Sequence, residues 1–241
     1  MLKNRDPEGF HNMVRLNKPR WAFHSSAAIL LTIFLAAAVS AQQQPAASPI
    51  KGPFRTSDLV ELVKLDATIK LDIRYATTHN FTGKILYPEA RAFLQRPAAE
   101  ALLSSHRWLK PQGYGLLIHD AYRPFSVTKI FWEITPPDKR IFVADPALGS
   151  IHNRGCAVDV GLYELRTGRE VEMPSAYDEM TRRAYVTYTG GTPDQQVKRN
   201  LLRKAMEREG YFFVYPEEWW HYNFKDFRDY PILDIPFSAI H

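Results

Sequence analysis

The apolar positions of this chain change period several times, and each change marks an expected element. Residues 68–75 (TIKLDIRY) alternate apolar and polar side chains, the period-two pattern of a half-buried strand. Residues 96–110 set Ala98, Ala101, Leu102 and Trp108 at helical spacing, and Pro111-Gln112-Gly113 stops the run. A short apolar strand is expected over 115–120 (GLLIHD), then Ala121-Tyr122-Arg123-Pro124 and a helix opening over 126–132. Residues 156–162 (CAVDVGL) read as a core strand. Residues 195–209 form an amphipathic helix with Val197, Leu201, Leu202, Ala205 and Met206 inward and Gly210 at its end. Two last strands are expected at 211–215 and 221–224, joined by a turn over 216–220. Strands gathered around two or three helices, without regular βαβ alternation, predict an α+β fold: a central antiparallel sheet with helices packed on it.

The first 56 residues follow a different pattern. A basic stretch ends near Arg20, residues 27–39 (AAILLTIFLAAAV) are apolar apart from Thr32, and Val39-Ser40-Ala41 offers small residues for cleavage. Residues 1–41 therefore read as a signal peptide, with Met1 or Met13 as its start. The apolar run is shorter than the roughly 20 residues that span a bilayer. That predicts a periplasmic or secreted protein with no stable membrane insertion after cleavage; the alternative is a signal anchor facing the periplasm. Residues 42–56 are a polar, Pro-rich linker, and 57–241 carry one domain with no further linker or repeat.

Composition narrows the class. The chain has 241 residues, 45% of them hydrophobic and 24% charged, as in globular proteins. Its formal charge of +5 owes much to Lys3, Arg5, Arg15, Lys18 and Arg20, which face only Asp6 and Glu8 in the N-terminal segment. No basic stripe follows, so nucleic-acid binding is set aside. A single cysteine, Cys156, precludes an internal disulfide, and stability must come from the core.

The chemistry concentrates in two segments, Ser150-Ile151-His152-Asn153-Arg154-Gly155-Cys156-Ala157-Val158-Asp159 and Glu217-Glu218-Trp219-Trp220-His221-Tyr222. Asp159 lies mid-strand among apolar residues, and a buried carboxylate needs a cationic partner, an arginine or a metal. Gly155 allows a turn that brings His152 and the strand to one point. Imidazoles and a carboxylate suit Zn²⁺, a catalytic zinc takes three such ligands and keeps a fourth position open, and Glu218 is placed to act on a water there. His119, beside Asp120, is either a neighbour of that site or a structural histidine. His79 reads as a surface residue or part of a pocket mouth, and Cys156 as a small apolar packer.

Together the two segments resemble the zinc D-alanyl-D-alanine dipeptidases of the VanX type, within the wider Hedgehog/D,D-peptidase zinc group. Asp72-Ile73-Arg74-Tyr75-Ala76-Thr77, Asn80-Phe81-Thr82-Gly83 and Ala121-Tyr122-Arg123-Pro124 extend the resemblance over residues 65–222. It implies a Hedgehog/D,D-peptidase-like fold and one catalytic Zn²⁺ on His152, Asp159 and His221. It further implies Glu218 as general base and Arg123 at the oxyanion. Ser150 and Asp178 would lie near the amine of a small D,D-dipeptide, with Tyr75 or Phe81 as pocket wall. The expected activity is D-alanyl-D-alanine hydrolysis in peptidoglycan turnover or recycling. The alternatives are a zinc D,D-carboxypeptidase or cell-wall endopeptidase, and a cell-wall binding protein without catalysis.

Overall fold

The computed structural model describes residues 52–241, so the signal peptide, the start site and most of the linker lie outside the described residues. In chain order the strands and α-helices are β1 (Leu59–Glu61), α1 (Leu62–Leu65), β2 (Lys70–Leu71), β3 (Phe93–Gln95) and α2 (Arg96–Leu109). They continue with β4 (Tyr114–Asp120), α3 (Phe125–Ile134), β5 (Ala157–Glu164), α4 (Pro193–Glu207), β6 (Phe212–Tyr215) and β7 (Glu218–Phe224). Five strands form one sheet in the order β2-β4-β5-β7-β6, and β1 pairs with β3 in a small ribbon. The sheet is antiparallel except at one edge, where β2 runs parallel to β4. Among the described residues no helix is long and apolar enough to cross a membrane.

Helices α2 and α4 contact each other and the sheet, covering one face. Their local signals are clear. Pro97 opens α2, and α4 begins with Pro193 behind a Thr192–Gln195 capping box. On α4, Leu202, Ala205 and Met206 are buried, but Val197 is 60% exposed. It lies near the start of α4, and its place on the apolar stripe brings it no burial. The 68–75 alternation is real in burial, with Ile69 and Ile73 inside, yet only Lys70–Leu71 pair as strand. The chain then leaves the sheet through a 3-10 turn at Arg74–Ala76, which carries Tyr75 into the interior.

The sheet is irregular at two places, and both matter for the site. On β4, Ile118 pairs with Val160 but Asp120 pairs with Asp159, so His119 is an extra residue. On β7 the register jumps from Val214↔Tyr222 to Tyr215↔Glu218. The strand therefore starts at Glu218, where a turn over 216–220 was expected, and Trp219–His221 take up the shift. Such bulges re-aim side chains that a regular period of two would send to opposite faces.

Candidate active site

On β5, Val158, Val160 and Leu162 enter the apolar core, and Asp159 points to the other face. Strand register sets Asp120 on β4 and His221 on β7 directly opposite Asp159, one on each side. The β7 bulge brings Glu218, three residues before His221, to the same place; its carboxylate lies 3.7 Å from His221 Nδ1. His152 arrives from a 3-10 turn, His152–Arg154, that Gly155 terminates in the left-handed conformation (φ +65°). A Cβ at Gly155 would also crowd the tip of the Leu59 side chain at 2.4 Å, but the positive φ is the reason that favours glycine there.

Three atoms converge. His152 Nε2 is 3.1 Å from His221 Nδ1 and 3.3 Å from Asp159 Oδ1, and His221 Nδ1 is 3.0 Å from Asp159 Oδ1. The other nitrogen of each imidazole is engaged. His152 Nδ1 donates to the Ala121 carbonyl at 2.6 Å, and His221 Nε2 donates to Asn223 Oδ1 at 2.8 Å. Since those oxygens can only accept, both remaining lone pairs and a carboxylate oxygen point at one spot, an arrangement that calls for a cation. The separations are close to the edge of about 3.3 Å of a tetrahedron with bonds of about 2.0 Å, so the donor set fits a zinc ion.

The charges respond to this crowding. Burial alone would push the Asp159 carboxyl up, but the neighbouring imidazoles, His152 foremost, hold it well below the usual range. Burial pushes Glu218 up to about 8, and the His221 ring opposes it only in part. Asp178 is pushed up to about 7, again by burial, against the hydrogen bond that Tyr75 donates to its Oδ2 at 2.8 Å. Asp178 adopts φ +61°, the one positive-φ non-glycine among the described residues, and this turns its side chain into the cavity.

All eight residues singled out from sequence (Tyr75, Arg123, Ser150, His152, Asp159, Asp178, Glu218 and His221) line one cavity of about 260 Å³. Small-molecule pockets run from about 300 to 1,000 Å³, so this one suits a compact ligand. Phe81 and Phe131 form apolar wall, and residues 141–144 add to the lining. Ser150 Oγ accepts from the His152 amide at 3.2 Å and so steadies the turn as well as facing the cavity. Arg123 lies over the Phe131 ring at 4.4 Å and is held by Asp120.

His119 and His79 are not in the cavity wall. The bulge swings His119 to a buried position against Tyr177, with rings 4.5 Å apart and nearly parallel. Asp72 and Glu170 flank it, but Arg74 already binds both carboxylates, at 2.7 and 3.4 Å. That second histidine–carboxylate group is therefore neutralised from within. His79 is exposed. Cys156 is fully buried, as a small apolar packer should be.

Several contributors were not visible in the sequence. Asn153 donates to the Arg123 carbonyl and to Thr128 Oγ1 at 2.8 Å each, tying the His152 turn to the Arg123 segment and to α3. Asn223 sits two residues beyond His221 on the same strand face, a spacing that would have suggested it.

A family profile described as D-ala-D-ala dipeptidase matches residues 55–238. This chain belongs to that family. A D-alanyl-D-alanine dipeptidase of Escherichia coli (strain K12) is 33% identical over 184 residues, 76% of this chain and 93% of that protein. Those of Enterococcus faecium and Enterococcus faecalis are 35% and 36% identical, covering 70% and 71% of this chain and 92% and 93% of theirs. The matched span includes every cavity residue named above, so this dipeptidase-family chain carries the whole site within the shared region.

Proposed function

We propose that the chain is a zinc-dependent D,D-dipeptidase that hydrolyses D-alanyl-D-alanine, with His152, Asp159 and His221 as metal ligands. The observation that carries this is the convergence of two imidazole lone pairs and Asp159 Oδ1 beside Glu218, inside a cavity small enough for a dipeptide. Zinc held there supplies Lewis acidity toward a water and a peptide carbonyl. Glu218 takes the proton of the attacking water and passes it to the departing amine, base first and acid afterwards. Arg123 donates to the oxygen on which negative charge develops. Asp178, steadied by Tyr75, pairs with the substrate's ammonium, with Ser150 beside it. A carboxylate paired with the ammonium in so small a cavity selects a free amino terminus and disfavours longer chains.

The apolar run at 27–39 and the small residues at 39–41 support export, so we place the activity in the periplasm or outside the cell, in turnover or recycling of peptidoglycan fragments. The deciding experiment compares D-Ala-D-Ala, its L,L and mixed stereoisomers, and a pentapeptide ending in D-Ala-D-Ala, with and without a chelator. Chelator-sensitive cleavage of the D,D-dipeptide alone is expected. Preferential trimming of the pentapeptide would make the protein a carboxypeptidase, and bound zinc without any cleavage would make it a binding protein.

A further inference from the structure

Asp159 has two oxygens with different neighbours. Oδ1 faces the two imidazoles, while Oδ2 accepts a hydrogen bond from the hydroxyl of Tyr177 at 3.0 Å. We propose that Tyr177 is a positioning residue that ties down Oδ2, so that Asp159 presents a single oxygen to the cation site. The inference rests on Asp159 being a metal ligand, as argued above.

A carboxylate can bind a cation through one oxygen or through both. With Oδ2 engaged by a neutral donor, binding through Oδ1 alone is favoured, and the position a chelating carboxylate would occupy stays free. A hydrolytic site needs that free position. Partners of this kind, one shell behind the ligands, also fix ligand orientation.

Tyr177 is built to hold its place. It is buried, and Asp159 is the acceptor its hydroxyl reaches. His119 stacks on the ring at an interplanar angle of 16°, Trp220 meets it edge-on at 5.5 Å, and the Arg74 guanidinium lies 6.0 Å from its centre. His119 can lie flat there because residue 161 is glycine; a Cβ at that position would come within 2.9 Å of His119 Nε2. The unusual backbone of Asp178 supplies the second observation. Tyr177 and Asp178 are consecutive, yet one reaches Asp159 and the other lines the cavity, and the positive φ at Asp178 accompanies that pairing. One turn thus serves both the ligand and the ligand-binding cavity.

The test uses Tyr177→Phe, which keeps the ring and its contacts and removes only the hydroxyl, with Tyr177→Leu as a second variant. Zinc affinity is measured by competition with a chromophoric chelator, and the visible spectrum is recorded after cobalt loading. Tyr177→Phe is expected to weaken zinc about 10–100-fold. It should also change the cobalt spectrum toward higher coordination, while the metal-stripped protein still melts cooperatively with a modest drop in melting temperature from the lost buried hydrogen bond. Zinc affinity within twofold of the parent and an identical cobalt spectrum would overturn the proposal. So would a loss confined to Tyr177→Leu, which would assign the effect to the ring. If Asp159→Ala binds zinc as tightly as the parent chain, the failure is that of the ligand assignment, and the two failures are thereby told apart.

Discussion

Asp120 Oδ2 accepts both Nε and Nη2 of Arg123, at 3.0 and 2.7 Å, and the two side chains are almost fully buried. Tyr87 and the Ala121 amide fill Asp120 Oδ1, so the carboxylate is saturated and the guanidinium has one orientation. Removing one member of a buried pair leaves the other uncompensated, at a cost of about 3–5 kcal/mol. Arg123→Ala should therefore lose stability by that order and lower kcat by about 10²–10³-fold. Denaturant melts and steady-state kinetics on the same preparation check both. A kcat within a few-fold of the parent would remove Arg123 from the reaction.

Glu218→Gln keeps the shape of the side chain and removes its basicity. Zinc binding should persist while kcat falls by at least about 10²-fold, the scale of general acid–base catalysis. Metal content and turnover are to be measured together, since loss of zinc would mean that Glu218 had served as a ligand.

Asp178→Asn should raise KM for D-Ala-D-Ala more than it lowers kcat, by about 10–100-fold in kcat/KM, as for loss of a charged hydrogen bond. N-acetylated dipeptide is the control. The parent enzyme should reject it, and the variant should discriminate far less between the free and acetylated forms.

Stability in the metal-stripped protein should depend on pH in a definite direction. Glu218 and Asp178 are raised to about 8 and about 7, from ordinary values of 4.5 and 3.8. Between those limits the folded chain keeps protons that the unfolded chain releases. The stabilisation is complete below the ordinary values and is lost as pH rises through the folded ones; His221, also raised, acts with the same sign. The melting temperature should fall from about pH 5 to 8, and Glu218→Gln should flatten the slope. Zinc displaces such protons, so its own stabilising effect should grow over the same interval. A melting temperature that climbs with pH in stripped protein would contradict this account.

The convergence of His152, Asp159 and His221 was legible because each lies in a short segment with its own signal: a carboxylate on an apolar strand, a glycine turn, and a histidine among tryptophans. Their helpers were not. Tyr177 reaches Asp159 across 18 residues of chain, and Asn153 reaches Thr128 and Arg123 across 25 and 30. No local period encodes such contacts. The α+β class followed from patterning, but the parallel pairing of β2 did not, because two residues of strand carry too little pattern to reveal direction. The turn expected over 216–220 was misplaced for a related reason. Spacing of three between Glu218 and His221 does not suit a regular strand, and only the bulge reconciles it with one.

That bulge separates the fate of the fold from the fate of the chemistry. Were β7 to pair with β6 in regular register through this step, the sheet and its hydrogen-bonded ladder would be unbroken. Glu218 and His221, three residues apart, would then point to opposite faces. A chain altered in this way would still be counted by overall similarity among its relatives while being silent as a catalyst. For this architecture, then, an interruption of the ladder is as much a part of the activity as the identity of the residues on either side of it.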